Sequence, residues 1–342
     1  MTTIPTTQEP LSSAPVGIGV LGAARIAPDG IVIPAQATGS RLIAIAARDT
    51  ARARAFAERH GVARVYDGYD DVIGDEDVEL VYNPLANSLH AEWNLRAIGA
   101  GKHVLSEKPF ARNAAEAEQV RDEGVRAGVV VADGFHYRYH PVFSRMVEIA
   151  NRGEIGEITS IVANVVIPRP SAEDLRVSPA LAGGALMDGG CYALHAVNLA
   201  SRLTIGAGEL QRVDGRPFDD LPTIDETVTA EFALPAGAVG IAHCWMGGDR
   251  QELSLRIEGT HGTVSIPDFI LPQDDDRVVL TDRTGAIVRE EHLGRRSSYT
   301  YQLEAVLRSI RYGDPLPTDA TDAVQTMRLV DRCYDEIGLP RR

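Results

Sequence analysis

Val16-Gly-Ile-Gly-Val-Leu21 running into Gly22-Ala-Ala-Arg-Ile-Ala27, with a second apolar run over residues 41–47, decides how this chain folds. The first run carries no charge and is short, as a strand covered on both faces requires. A glycine turn between two such strands opens a dinucleotide-binding βαβ unit. The usual fingerprint is Gly-x-Gly-x-x-Gly; here it is Gly22-x-Ala24-x-x-Ala27. Gly22 makes the tight turn, and alanine at the other two positions is small enough to admit a pyrophosphate and let the helix pack. Gly22, Ala23, Ala24, Arg25 and Ile26 are therefore the expected seat of the cofactor's phosphates. The second strand ends Ala46-Ala47-Arg48-Asp49. A carboxylate at that strand end favours NAD by accepting from the ribose 2′-hydroxyl, whereas a guanidinium pairs with a 2′-phosphate. Arg48 favours NADP; Asp49 keeps NAD open.

Strands and helices keep alternating outward from this unit. A helix over 50–60 stops at Gly61, and a strand follows over 78–83. A helix over 88–100 starts with Ser88 as its cap. Asn113 with Glu116 three residues on forms a capping box. A further strand covers 129–133. This order implies a doubly wound parallel sheet. The strand over 103–105 ends on Glu107-Lys108-Pro109, which places Lys108 at the carboxyl edge, where ligands bind in open α/β sheets. Proline biases Lys108 toward extended backbone. A lysine so fixed can donate hydrogen bonds and perturb a neighbour's pKa, or it can simply snorkel into water.

The pattern changes after Pro141. A helix over 142–151 leads to a strand over 157–168. Hairpins follow over 226–234 with 238–245 and over 252–258 with 262–266, then helices over 299–312 and 319–337. The fold class is therefore α/β: an N-terminal Rossmann sheet plus an α+β domain with a large open, mainly antiparallel sheet. The expected divisions are a loose tail over 1–14, a nucleotide-binding domain over 15–138 and a substrate and oligomerisation domain over 139–342. The closing helices either pack back on the first domain or support the second sheet.

Gly183-Gly-Ala-Leu-Met-Asp188-Gly-Gly-Cys-Tyr192-Ala-Leu-His195 reads as a glycine turn entering a helix. Asp188 and Tyr192, four apart, share a face, and His195 lies near that stripe. The carboxylate can orient the phenol or hold a substrate hydroxyl; alternatively it is a first-turn acid beside a half-buried aromatic. Phe135-His-Tyr-Arg138-Tyr-His-Pro141 reads as pocket wall or interdomain packing. Its two histidines have no carboxylate at a fixed spacing, so no metal is expected. Arg176, ahead of Arg169, is the better candidate for an anionic substrate.

The net charge of −14 excludes a nucleic-acid partner, because no broad basic face is available for phosphates. Cys191, Cys244 and Cys333 are far apart and form no metal or redox spacing, which suits a reducing cytoplasm. Residues 1–15 have no basic start and no apolar core, unlike a signal peptide, and no apolar run reaches membrane-spanning length.

Gly22-Ala-Ala-Arg-Ile-Ala27, Asn87-Ser-Leu-His90-Ala-Glu-Trp93, Gly101-Lys-His-Val-Leu-Ser-Glu-Lys-Pro109 and Gly183-Gly-Ala-Leu-Met-Asp188-x-Gly-x-Tyr192 resemble, in order and spacing, the glucose–fructose oxidoreductase / inositol dehydrogenase (Gfo/Idh/MocA) family. The resemblance runs from about residue 14 to 338 and is greatest to its trans-dihydrodiol and NADP-dependent xylose dehydrogenases. It implies reversible hydride transfer between a nicotinamide and a carbinol or ketone of a sugar, cyclic polyol or diol. It also implies a homodimer or homotetramer through the second sheet; the lack of a long apolar run argues against a membrane partner.

By that resemblance Lys108 is the catalytic lysine, and Tyr192 stands where inositol dehydrogenases carry a histidine. Glu107, Asn87 and the Pro84-Leu85 loop lie near the nicotinamide ribose, and His90 caps the adjacent helix. Arg138, Arg176, Asp188, Lys108 and Tyr192 face the substrate. Ala86 stands where a proline is common. A free tyrosine is a poor base at neutral pH, so a nearby ammonium would have to lower its pKa. Tyr192 would then move the proton, Lys108 activate it and bind the developing oxyanion, and Asp188 hold a substrate hydroxyl. In the alternative division Lys108 itself carries the proton. Two rival functions are a biosynthetic reductase of an activated keto-sugar and a cofactor-binding regulator without turnover.

Overall fold

The computed structural model describes residues 15–342, so the tail expected over 1–14 lies outside the described residues. The first sheet contains β1 (Gly17–Leu21), β2 (Arg41–Ala46), β3 (Arg64–Tyr66), β4 (Leu80–Asn83), β5 (His103–Ser106) and β6 (Val131–Asp133). They lie in the order β3-β2-β1-β4-β5-β6, every pair parallel. The chain moves outward on one side of β1 and then on the other. The strand order reverses between β1 and β4, and the crevice outside their carboxyl ends is where this architecture binds ligands. Helices α1 (Ile33–Thr38), α2 (Thr50–His60), α3 (Tyr69–Gly74), α4 (His90–Gly99) and α5 (Ala114–Ala127) make the crossovers.

After α6 (Pro141–Asn151) the chain enters the second sheet: β7 (Ile158–Val166), then α7 (Cys191–Thr204), β8 (Glu209–Phe218), β9 (Leu221–Ala233), β10 (Val239–Trp245), β11 (Glu252–Gly259), β12 (Gly262–Ile266), β13 (Arg277–Asp282) and β14 (Ile287–His292). Its order is β14-β13-β12-β11-β7-β10-β9-β8, antiparallel except for β7 beside β10. Along β10, Gly240, Ala242 and Cys244 are buried under α7, and Val239, Ile241, His243 and Trp245 alternate onto the open face. The small inward residues let the helix approach closely.

The last helices, α8 (Ser298–Tyr312) and α9 (Ala320–Ile337), divide the two roles left open by the sequence. Leu303, Val306 and Leu307 of α8 share one core with Ile18, Val20, Leu105 and Ala132 of the first sheet. The Gln302 amide donates to the Asp133 carbonyl at 3.0 Å. Helix α9 lies against α5 on one side and α7 and β8 on the other.

Three local expectations need correction. The helix expected from Ser88 is broken into a 3-10 turn, Asn87–Leu89, and α4 from His90, and no side chain caps either. The turn satisfies its own backbone through Leu89 N–H to Ala86 O at 2.8 Å, while Asn87 and His90 are occupied elsewhere. The capping box is half present: Asn113 accepts from Glu116 N–H at 3.1 Å, but Glu116 accepts from Arg112 N–H at 3.0 Å. Strands β3, β8, β13 and β14 have no counterpart in the sequence reading. The two edge strands, β8 and β14, are largely polar and exposed, and Pro217 adds a register shift to β8.

Candidate active site

The nucleotide end is built by backbone. Gly22 adopts φ +98°, its N–H donates to Ala46 O at 2.7 Å, and a Cβ there would sit 3.1 Å from Leu85 Cδ2. The positive φ calls for glycine, and the close approach of Leu85 favours it. Buried Pro84 and half-buried Leu85 form the opposite wall, fixed by Leu85 N–H donating to Asn83 Oδ1 at 3.3 Å. Ala23, Ala24 and Ile26 are half-buried, and Arg25 is exposed. Arg48 and Asp49 are also exposed, but the Asp49 carboxylate turns into its own helix and accepts from Ala51 and Arg52 N–H. That leaves Arg48 as the free charge at the strand end. Arg52, which the sequence reading missed, donates to Ala23 O at 2.8 Å and brings a second guanidinium to the same turn. Its signal was the one-turn spacing from Arg48. A positive-φ turn flanked by two guanidinium groups fits a dinucleotide bearing a 2′-phosphate.

The reacting end joins both sheets. Glu107 N–H donates to Asn83 O at 3.0 Å, and its buried carboxylate accepts from Tyr82 at 2.8 Å. Burial raises that carboxyl's pKa. The next peptide, Lys108–Pro109, is cis. Lys108 Nζ donates to the Asp188 carbonyl at 2.9 Å and to its Oδ1 at 3.3 Å. It also lies over the Tyr192 ring, 5.0 Å from the centroid. Burial opposes the ammonium, but Asp188, Cys191 and Glu107 outweigh it and raise its pKa. Lys108 is therefore a permanent cation at neutral pH.

The glycine pair sets the partner in place. Gly184 adopts φ +138°, and a Cβ there would strike Asp225 Oδ1. Leu186 N–H donates to Asp225 Oδ2 at 2.6 Å, and a widened π-type turn, Leu186–Gly190, precedes α7. Such turns often mark functional positions in helices. Asp188 and Tyr192 do face one centre, but His195 does not. Its ring stacks on Phe135 with centroids 4.2 Å apart and joins Tyr137 at 2.7 Å and Asp322 at 2.8 Å, making it a core residue.

Tyr192 departs from expectation in one respect. Lys108 sits over its ring face, while the hydroxyl shares a hydrogen bond with His136 Nε2 at 3.1 Å. Burial, then Tyr299, Glu107 and Cys191, pushes the phenol's pKa well above its usual value instead of below it. The resting group is a neutral phenol. His136 is neutral too: burial, then Lys108 and His140, lowers it to about 3. It came from the segment read as pocket wall or packing, and it belongs to the site.

The remaining candidates spread out. Asn87 donates to Ala182 O across the cleft at 3.0 Å. His90 caps nothing; its ring lies between two carbonyls, Nδ1 2.7 Å from Pro109 O and Nε2 2.9 Å from Leu85 O, and its one N–H ties down the loops around Lys108. Arg176 pairs with Asp174 at 2.8 Å and stands 3.9 Å from Asp188 Oδ2. That Arg176 contact, against the cost of burial, brings the Asp174 carboxyl down to about 2. Arg138, expected at the substrate, stacks over Phe143 at 5.2 Å, because its 3-10 turn directs it at α6. Arg169 pairs with Asp220 on the surface at 2.6 Å. No cluster of potential metal ligands occurs among the described residues, and no helix there is long and apolar enough to cross a membrane.

Residues 16–135 match the oxidoreductase family with an NAD-binding Rossmann fold, and residues 143–265 match the GFO/IDH/MocA C-terminal domain. The chain belongs to the GFO/IDH/MocA family. Within it, the chain is 32% identical over 320 residues to D-xylose 1-dehydrogenase (NADP(+)) 2 of Haloferax volcanii, covering 93% of this chain and 96% of that one. It is 31% identical over 304 residues to a dTDP-3,4-didehydro-2,6-dideoxy-alpha-D-glucose 3-reductase of Streptomyces violaceoruber, covering 86% and 85%. Among solved structures it is similar to the 3-ketoreductase KijD10 from Actinomadura kijaniata in complex with NADP and TDP-benzene. The TM-score is 0.87 at 27% identity, covering 94% of this chain and 98% of that one. This GFO/IDH/MocA protein is an NAD(P)-dependent oxidoreductase.

Proposed function

We propose that this protein interconverts a secondary alcohol and a ketone of a sugar, cyclic polyol or diol with NADP, using Lys108, Tyr192 and Asp188. The observation that carries the reading is the Lys108 ammonium, supplied by the first sheet and held between Asp188 and the Tyr192 ring of the second. The bound nicotinamide supplies the hydride acceptor or donor at C4. Gly22, Ala23, Ala24, Arg25 and Ile26 hold its phosphates. Arg48 and Arg52 take the 2′-phosphate, and Glu107, Asn87 and the Pro84-Leu85 wall bound its ribose.

During alcohol oxidation Tyr192 Oη receives the substrate's hydroxyl proton. Lys108 donates to the same substrate oxygen as it becomes negative, stabilising the transition state more than the ground state. Asp188 accepts from a neighbouring hydroxyl. The Arg176 charge is taken up by Asp174 and Asp188, which favours an uncharged sugar. The second reading is an activated keto-sugar substrate, favoured by the likeness to the Streptomyces violaceoruber reductase. Residues 15–138 would bind the nucleotide and 139–342 the substrate. Association through the open face carrying Ile241 and Trp245, and a reducing cytoplasm for the three free thiols, complete the proposal.

The test is turnover followed by near-UV absorbance. NADP(+) and NAD(+) are supplied with aldoses, inositols, cyclic diols, their ketones and a TDP-keto-sugar. Turnover of a free sugar or diol, preferring NADP and lost in Lys108→Ala, is expected. Turnover of the TDP-keto-sugar alone moves the assignment to the second reading. NADP binding with no turnover on the whole panel overturns both.

A further inference from the structure

A neutral Tyr192 can take a substrate proton only if it gives up its own, and the structure contains an acceptor chain for that proton. His136 Nε2 is 3.1 Å from the Tyr192 hydroxyl, and His136 Nδ1 is 2.8 Å from Ser298 Oγ. Ser298 Oγ is 3.0 Å from Gln273 Oε1. His136 and Ser298 are fully buried at 0% exposure, and Gln273 is half-buried. The residues come from four places: the turn after β6, the loop between β12 and β13, and the first turns of α7 and α8.

The direction of every bond in this chain is determined. Ser298 N–H can only donate, and it faces the Gln273 amide at 3.4 Å, so the amide oxygen must be the atom turned inward. That oxygen has no hydrogen. Two oxygens 3.0 Å apart need one between them, so Ser298 donates its hydroxyl hydrogen to Gln273. Its remaining lone pairs must accept from His136, which therefore carries its proton on Nδ1. His136 Nε2 is left bare and accepts from Tyr192. The phenol's hydrogen thus points away from the cleft, and its lone pairs point in.

We propose that Gln273, Ser298 and His136 form a directional proton exit for Tyr192, set for alcohol oxidation. This rests on the reading of Tyr192 as the proton-moving group. As the O–H bond of the alcohol breaks, its proton bonds to Tyr192 Oη, and the Tyr192 proton moves to His136 Nε2. The His136 Nδ1 proton moves to Ser298 Oγ, whose own proton passes to the Gln273 amide oxygen as the amide nitrogen at the half-exposed end gives one to water. One proton enters and one leaves, and no ring stays charged. The two electrons of the C–H bond leave as hydride to the oxidised nicotinamide. His136 is a positioning and relay residue in this scheme, Ser298 and Gln273 positioning residues that act through it.

The polarity is tested without substrate by long-range nitrogen–proton NMR on protein labelled at histidine nitrogen. The His136 signals are identified by their loss in His136→Gln, or by their shift in Ser298→Ala if that variant does not fold. A proton on Nδ1 is expected, and a proton on Nε2 overturns the proposal. Gln273→Glu keeps an acceptor-only group and should keep the Nδ1 form, whereas Gln273→Lys presents a donor and should drive the proton to Nε2. An unchanged tautomer in Gln273→Lys counts against the chain. In turnover, Gln273→Lys should slow alcohol oxidation about a hundredfold, the low end of the range for one proton-transfer group, and Gln273→Glu should restore it. If Tyr192→Phe is inactive while Gln273→Lys turns over normally, the exit fails and the Tyr192 reading stands. If Tyr192→Phe keeps full turnover, the Tyr192 reading itself fails, whatever the tautomer.

Discussion

The two ends of the cleft are built on different plans. The nucleotide turn is assembled from a short piece of chain between Gly22 and Arg52, mostly by backbone, and its charges at Arg25 and Arg48 stand in water. The Lys108 end is assembled from buried His136, Tyr192 and Ser298 with half-buried Lys108 and Asp188, and exists only where the two sheets meet. Binding a dinucleotide asks for a turn and a helix start, which local chain can supply. Moving a proton asks for groups held within hydrogen-bond distance in a dry pocket, which takes distant parts of the chain packed together.

If this contrast is right, the largest effect belongs to the buried end. Tyr192→Phe should lower kcat by about a thousandfold, in the middle of the range for a lost acid/base group. NADP affinity, read by fluorescence titration, should not change. A matching loss of NADP binding would show that the two ends are not separable. At the open end, Arg48→Ala removes one charge-assisted contact of about 1.5–3 kcal/mol. NADP should therefore bind roughly tenfold or more weaker, with NAD unchanged. Equal loss for both cofactors would remove Arg48 from the 2′-phosphate.

Acid should undo the buried end first. His136 titrates at about 3 in the folded chain against 6.5 unfolded, so between these values the unfolded state binds more protons. Stability should thus fall as pH drops from 6.5 toward 3, by at most about 1.4 kcal/mol per pH unit for this one group. Thermal melting across that window checks the sign, and His136→Gln should flatten the slope. The smallest effect is expected from Asn87→Ala, which removes one hydrogen bond across the cleft and should cost about 1 kcal/mol in chemical denaturation.

The open end was the legible one. The turn at Gly22 and the strand end at Arg48 announce themselves because their chemistry is local, and so does the edge position of Lys108 after β5. That Asp188 and Tyr192 share a side, where both meet Lys108, was legible from helical spacing. That Lys108 would sit over the Tyr192 ring while His136 took its hydroxyl was not, because the contact joins residues 56 apart and depends on how the sheets dock. Asp49 looked like a ribose acceptor, but the cap it makes with Ala51 and Arg52 satisfies backbone donors that would otherwise be orphaned. Ser298 and Gln273 gave no signal, since a serine opening a helix and a glutamine in a loop are common. The strands at the two ends of the second sheet were hidden by exposure, which removes the apolar alternation that marks a strand.

Helix α8 imposes an order of events on synthesis. The parallel sheet is complete when Asp133 has been made, yet part of its covering layer lies some 170 residues further on, at Leu303, Val306 and Leu307. Burying three such side chains contributes roughly 1.5–3 kcal/mol each, a large share of a typical domain's net stability of about 5–15 kcal/mol. While the ribosome works through the second sheet, the nascent nucleotide-binding half must wait with a greasy flank uncovered. A stalled or clipped chain lacking its last forty or so residues would keep every cofactor-binding residue and still be a client for chaperones.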